Sequence, residues 1–261
     1  MKVGDIEVVP VNDGDIRLPP SFWAGLDWST HGDLLDAKGM IAMPIGCFLV
    51  RTGDQVVLID AGLGAHDTPW GSGGALPSEL AALGVQPEDV DLVVCTHLHI
   101  DHVGWLVHQG RPFFANATVR YGHGDWHQFV ESADAEPRTV EAMLVLSHEG
   151  RLDPIEGDQV ALAPGLTALH TPGHTPGHYG LVVSSGQDRA YVLGDAVECP
   201  LQLDEPDFYA MSDVDPTLSR RTREALWREL EGTATVVGAA HFPGLAFGRV
   251  LPGTGKRWLP V

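Results

Sequence analysis

Short apolar runs separated by turn residues dominate the chain, with only a few stretches at helical spacing. Residues 3–11 alternate loosely around Ile6, Val8 and Val9 and predict a first strand, which turns at Asn12-Asp13-Gly14-Asp15. Residues 43–51 and 55–60 carry β-forming side chains on either side of Thr52-Gly53-Asp54, a hairpin pattern. The run Asp91-Leu92-Val93-Val94-Cys95 reads as a short buried strand, and residues 112–121 lead into another. Further strands are predicted within 151–169, over 180–184 and 190–193, and at Thr235-Val236-Val237-Gly238.

Helical signals are fewer. Ser78 is positioned as the cap of a short helix over 79–83, residues 125–132 predict a second, and 137–148 a third with proline in its first turn. The strongest is 217–231, opened by Asp215-Pro216, with Leu218, Ala225, Leu226 and Leu230 on one side and Arg220, Arg221, Arg223 and Arg228 on a solvated face. Strands, a helical stretch, strands again and a last helix before a final strand predict an α/β or α+β fold with layered sheets. No linker composition interrupts residues 1–261, so one domain is expected.

Residues 18–40 break the pattern. Prolines, glycine and the aromatics Phe22, Trp23 and Trp28 follow no period there and predict a long surface excursion, either ordinary local packing or a lid or dimer contact. Residues 64–77 form a Gly-rich loop carrying His66 and Trp70.

Composition narrows the partners. Sixteen basic against 35 acidic residues give a formal charge of −19, a field that disfavours nucleic acid and anionic membranes and leaves a small-molecule substrate. No apolar run is long enough to span a bilayer, and acidic residues interrupt the first positions, so a cytoplasmic protein is expected. The three cysteines, Cys47, Cys95 and Cys199, are widely spaced and odd in number, which suits buried free thiols.

The chemistry concentrates in Thr96-His97-Leu98-His99-Ile100-Asp101-His102, directly after the 91–95 run. His97 and His99, two apart on an extended segment, face one side, while Asp101 and His102 can turn to a second point nearby. That is a layout for two adjacent metal ions, although a solvated histidine-rich loop would share the composition. His174 in Thr171-Pro172-Gly173-His174-Thr175-Pro176-Gly177-His178, Asp195 after 190–193 and His241 after 235–238 strengthen the metal reading. Each stands at the C-terminal end of an apolar segment, where strands deliver side chains to one rim of a sheet. Imidazole and carboxylate without thiolate suit Zn2+, and also Mn2+, Co2+ or Fe2+.

The series His-x-His-x-Asp-His, His174, Asp195 and His241 resembles the ligand set of the metallo-β-lactamase-fold hydrolase superfamily, nearest its methyl parathion hydrolase and quorum-quenching lactonase branch. The resemblance spans residues 8–250. It implies a four-layer αββα sandwich of two mixed sheets with helices outside. It implies that His97, His99 and His174 hold one ion and Asp101, His102 and His241 the other, with Asp195 bridging them. A hydroxide shared by the ions would then attack a lactone, ester or phosphotriester, and Asp101 would also handle a proton.

Asp60, in a segment similar to the superfamily's Asp-x-Gly turn, and His178 are expected to brace the ligands. His170 is placed with His178, and the remaining histidines carry no assignment. The bridging Asp195 argues against β-lactam hydrolysis, since the β-lactamases of this superfamily lack it. One departure concerns Glu198, which stands where lactonase members carry a tyrosine and phosphotriesterase-like members often a histidine. It is expected either at the cleft mouth or pointing into solvent. Glu198, Phe22, Trp23, Trp28 and Phe113 are the candidate substrate contacts. Alternatives are a thioesterase resembling glyoxalase II, or a sensor domain that binds metal without turnover, and a homodimer is possible through residues 18–40.

Overall fold

The computed structural model describes residues 1–203, 205, 207–253 and 257–261. Six principal strands build the first sheet: β1 Ile6–Leu18, β2 Ile41–Thr52, β3 Gln55–Ile59, β4 Leu92–Val94, β5 Thr118–Gly122 and β6 Leu152–Ile155. They lie in reverse chain order, β6 to β1, and the hairpin Asp67–Thr68 with Gly71–Ser72 extends the sheet beyond β1. β1 through β3 pair antiparallel, whereas β3, β4, β5 and β6 run parallel. The second sheet holds β7 Gln159–Ala163, β8 Leu166–His170, β9 Tyr179–Ser185, β10 Asp188–Val192, β11 Val236–Gly238, β12 Gly248–Val250 and β13 Trp258–Pro260, in that order. Only the β10–β11 pair is parallel there.

Alternation along the strands puts one side of each sheet against the other sheet. Val8, Phe48, Val50, Ile59 and Val94 from the first meet Leu181, Val183, Val192 and Phe247 from the second. The outer face of the first sheet, with Leu49, Leu58, Val93 and Val119, is covered by α1 Leu76–Ala82 and by α3 Pro137–His148 through Leu80, Met143 and Leu146. The outer face of the second, with Val182, Tyr191 and Val237, takes Leu226 and Leu230 of α4 Pro216–Leu230. The layers are therefore helix, sheet, sheet, helix, as expected. A short α2, Ile100–Val103, follows β4. The parallel pairs matter for function because they make β3, β4, β10 and β11 end at one rim.

Several local expectations differ from the structure. The chain does not turn at 12–15, since β1 runs on to Leu18 and shifts register between Asn12 and Gly14. This bulge points Asp13 inward, where Oδ1 accepts from Gly74 N, Leu76 N and Trp105 Nε1 and Oδ2 from Leu63 N and Gly64 N, at 2.8–3.1 Å. Five buried donors make the carboxylate an anchor rather than a turn residue. α1 starts before Ser78, whose hydroxyl donates instead to Ala75 O. In place of one helix over 125–132 stand a 3-10 turn at His123–Asp125 and a π-helical turn at His127–Glu131.

Arg223 is not solvated. Being only 4% exposed, it donates to Ser219 Oγ and Phe208 O and pairs with Asp213. Residues 18–40 form 3-10 turns at Pro20–Phe22, Trp28–Thr30 and Gly32–Leu34. Between them Trp23–Ala24 pairs with Tyr209–Ala210, and Trp23 packs against Trp28 and Phe208 at 6.1 and 6.2 Å between ring centroids. Aromatic burial, not periodicity, holds this segment down. No helix among the described residues is long and apolar enough to cross a membrane.

Candidate metal centre

β4 ends at Val94, and its continuation is fixed by Asp60, the residue that follows β3. Thr96 donates to Asp60 Oδ1 from its backbone N at 2.7 Å, and its hydroxyl lies 3.0 and 2.9 Å from the two carboxylate oxygens. Asp60 holds a left-handed backbone at φ 61°, a conformation that costs a non-glycine residue roughly 1 kcal/mol and is retained because these bonds and its contact to His102 over-determine it. Asp125 ties the heptapeptide to the second histidine loop, accepting from Leu98 N, Thr175 Oγ1 and Gly177 N at 3.1, 3.0 and 2.6 Å. Burial pushes its carboxyl up to about 6 against the pull of those donors.

With these braces in place, His97, His99, His174 and Asp195 form one group and Asp101, His102 and His241 a second, the ligand atoms of each within 4.8 Å of one another. Asp195 stands between them. Its Oδ2 lies 3.8 Å from His97 Nε2, 3.5 Å from His174 Nε2, 3.4 Å from His102 Nε2 and 3.3 Å from His241 Nε2. Gly194 precedes it at φ 54°, and a Cβ there would come within 2.6 Å of His178 Nε2, so the turn that delivers Asp195 needs glycine.

Three of the imidazoles are oriented from behind by an acceptor for Nδ1–H. His102 donates to Asp60 Oδ2 at 2.9 Å, His174 to Asp213 Oδ1 at 2.9 Å and His241 to Pro44 O at 2.8 Å. Each bond places the proton on Nδ1 and turns the Nε2 lone pair toward Asp195, the tautomer a metal ligand requires. His178 sits one layer back, with Nδ1 against Thr171 Oγ1 at 2.7 Å and Nε2 accepting from Asp195 N at 3.0 Å. His170 Nε2 donates to Pro176 O, away from the cluster.

The charges are unbalanced in the protein alone. Burial lowers His97 far below the ordinary imidazole range and His99 to about 3. Burial also acts on His102 and His241, yet Asp195 and neighbouring carboxylates overcome it, raising His102 well above 6.5 and His241 to about 9. Buried His102 Nε2 and Asp195 Oδ1 have no hydrogen-bond partner among the described residues. Orphaned polar atoms aimed into a cluster of nitrogen and oxygen donors fit two divalent cations, which would satisfy both.

A cavity of about 370 Å3 opens onto this cluster, lined by Ile16, Phe22, Met43, Trp70, Ile100 and Phe129 as well as by Asp101, Asp195, Glu198 and His241. Phe22 is thus on the wall of the cavity that opens onto the cluster. Trp23 and Trp28 instead wall a second cavity of about 630 Å3 on the far side of Met43 and His241. Phe113 lines neither, because it packs tilted against Trp105 at 4.8 Å and edge-on against Phe114 at 5.1 Å in the core under the first sheet. Phe129, 5.1 Å from the His99 ring, takes the wall position.

Glu198 does not point into solvent. It is 5% exposed, with Oε2 accepting from Trp23 Nε1 at 3.2 Å and Oε1 from Ser212 Oγ at 3.1 Å, and burial raises its carboxyl to about 7. Asp13, Asp125, Asp213 and Phe129 were missed as site residues. Asp13 lies in the stretch read as a turn, Asp125 and Phe129 in the one read as a helix, and Asp213 just before the Asp215-Pro216 cap, so each was marked for its local structure and not for the site.

A profile of the metallo-beta-lactamase superfamily matches residues 42–238. An N-acyl homoserine lactonase from Bacillus sp is 26% identical over 224 residues, covering 78% of this chain and 85% of that protein. The lactonase AiiB of Agrobacterium fabrum (strain C58 / ATCC 33970) is 27% identical over 207 residues, 69% of this chain and 72% of its own. Among solved structures, the hydrolase AbOPH superimposes with a TM-score of 0.87 at 25% identity, covering 100% of this chain and 96% of its own. The dizinc quorum-quenching lactonase AidC, in complex with a product, shares the fold at a TM-score of 0.87 and 22% identity over 100% of this chain and 96% of its own. The chain belongs to the metallo-beta-lactamase superfamily, as one of its metal-dependent hydrolases.

Proposed function

We propose that this protein opens the ester bond of a small, uncharged lactone, with two zinc ions as its resident metals and an N-acyl homoserine lactone as the nearest substrate class. The observation that carries this reading is Asp195 Oδ2, within 3.8 Å of imidazoles from both ligand groups at the floor of an apolar cavity. Two divalent ions bound there would lower the pKa of water and offset the negative charge developing on the carbonyl oxygen as its carbon becomes tetrahedral.

The chain's own side chains do the remaining work. Asp101 is the most accessible carboxylate of the cluster, its Oδ2 3.5 Å from His241 Nε2, and it is placed to pass a proton to the leaving alkoxide. Phe22, Met43, Ile100 and Phe129 exclude water and pack an acyl chain. Among the described residues no lysine or arginine lines the cavity, while Asp101, Asp134, Glu136, Asp195 and Glu198 do. Such a wall favours neutral substrates and repels the carboxylate product. It speaks against a glutathione-like thioester, the expectation of the thioesterase alternative.

A neutral phosphotriester satisfies the same wall and is the second reading. Three free cysteines support a reducing, cytoplasmic setting. A homodimer through residues 18–40, where Leu34 is 45% exposed, completes the proposal, and solution mass checks it. Zinc-loaded protein is to be assayed on N-acyl homoserine lactones, p-nitrophenyl esters and paraoxon. Lactones should give the highest kcat/KM. Turnover of none of them, at full metal content, would overturn the proposal in favour of a sensor.

A further inference from the structure

Glu198 presents a buried carboxylate whose acceptor capacity is half used. An ionised carboxyl offers about four lone-pair sites, and here each oxygen takes one neutral donor, Trp23 Nε1 on Oε2 and Ser212 Oγ on Oε1. Its only ion-pair partner among the described residues is His174, whose Nδ1 lies 3.8 Å from Oε1 but 2.9 Å from Asp213 Oδ1. The His174 proton therefore goes to Asp213. Buried acceptors left short of donors are costly, and a ligand that supplies one gains what the protein lacks.

The position of this unfilled acceptor defines what it can read. Glu198 lies three residues beyond Asp195, and both carboxylates line the same cavity, as does Ser212. Glu198 Oε1 lies 3.8 Å from His174 Nδ1, so a carbonyl carbon seated over the ligand cluster would bring the atoms attached to it near Glu198. We propose that Glu198 is a specificity-determining residue that accepts a hydrogen bond from an N–H carried by the substrate on the carbon next to the reacting carbonyl, a secondary amide in a neutral lactone. The assignment rests on the lactone reading above and adds which lactones are preferred. A hydroxyl donor at this place would pull on the carbonyl oxygen of any lactone. A carboxylate acceptor instead sorts lactones by what they donate.

The test compares N-hexanoyl homoserine lactone with its carba analogue, in which CH2 replaces the amide N–H. Metal-replete wild type should favour the amide by about 3- to 100-fold in kcat/KM, the range from an ordinary hydrogen bond to one with a charged group. Glu198→Leu should bring that ratio close to one, and Glu198→Gln, which keeps one acceptor oxygen, should fall between. Calorimetric binding of the corresponding lactam pair, whose ring is not opened, should show the same ordering and is a readout independent of turnover. Metal content and circular dichroism establish that each variant is folded. Equal use of both lactones by wild type would overturn the role of Glu198 while leaving lactone hydrolysis intact. So would a preference that survives in Glu198→Leu. Hydrolysis of neither lactone overturns both readings.

Discussion

Asp213 Oδ1 lies 2.9 Å from His174 Nδ1, although the two residues are 39 positions apart. The same carboxylate meets the buried guanidinium of Arg223 through Oδ2 at 3.4 Å. Helix α4, through Arg223, thus holds the acid that orients the His174 imidazole. Asp213→Asn keeps an acceptor near His174 but removes the charge that strengthens the Nδ1–H bond and neutralises Arg223. Metal affinity should fall about 10- to 100-fold with the fold retained. Competition against a chromophoric chelator, with circular dichroism as control, measures this. Unchanged affinity would mean that Asp213 serves only the helix.

Asp195 has no substitute in the cluster, because among the described residues no other carboxylate reaches imidazoles of both groups. Asp195→Ala should lower bound metal from about two ions per chain to about one and abolish turnover. Elemental analysis of the purified variant gives the stoichiometry. Two tightly bound ions with wild-type activity would remove the bridging role.

What could be read beforehand follows from how locally each feature is encoded. The heptapeptide carries its own argument, since six consecutive positions after β4 hold three imidazoles and a carboxylate, although Asp60 and Asp125, which brace it, come from elsewhere in the chain. β3, β4 and β10 announce themselves by apolar runs that mark layered sheets, while the four-layer order came from the resemblance that the ligand motifs carry. Asp13 was not legible, because Asn-Asp-Gly-Asp is the composition of a turn, and only the bulge opposite Gly46 and Ile45 reveals that the chain continues as strand. Phe113 and Phe129 illustrate the same limit. Both follow or precede strand and helix signals of equal strength, and only the packing of Trp105 on Phe113 decides which ring is left for the cavity. Arg223 looked solvated because periodicity ranks residues by face and cannot see Asp213 arriving from outside the helix.

Metal affinity should rise with pH. In the metal-free protein the carboxylates raise His241 to about 9 and hold His102 and His174 above 6.5, so these rings carry protons that an incoming ion must displace. Calorimetry in buffers of different ionisation enthalpy should show proton release at pH 7.5 that diminishes as pH rises past about 9, where His241 gives up its proton. Stability of the metal-free protein moves oppositely. A histidine raised by folding contributes stability that is complete below its unfolded value near 6.5 and is lost as pH rises through its folded value. Chelator-treated protein should therefore lose Tm between pH 6.5 and about 9, while zinc-loaded protein should hold or gain. Parallel curves would contradict the charge assignment.

Asp13 joins three segments that are far apart in sequence: the loop after β3 at Leu63 and Gly64, the start of α1 at Gly74 and Leu76, and the indole of Trp105 beyond α2. All five donors face a carboxylate that is completely buried. Asp13→Ala takes away their shared acceptor and should destabilise the protein by about 3 to 5 kcal/mol, the range for stripping one partner from a buried charged network. Asp13→Asn should be nearly as harmful, because its amide group would point hydrogens at donors already fixed by the backbone. Urea denaturation of the zinc-loaded proteins, followed by tryptophan fluorescence, gives the difference directly. A loss below about 1 kcal/mol for the alanine variant would show that the loops relax to find other acceptors, and that the metal ligands, not Asp13, hold this rim together.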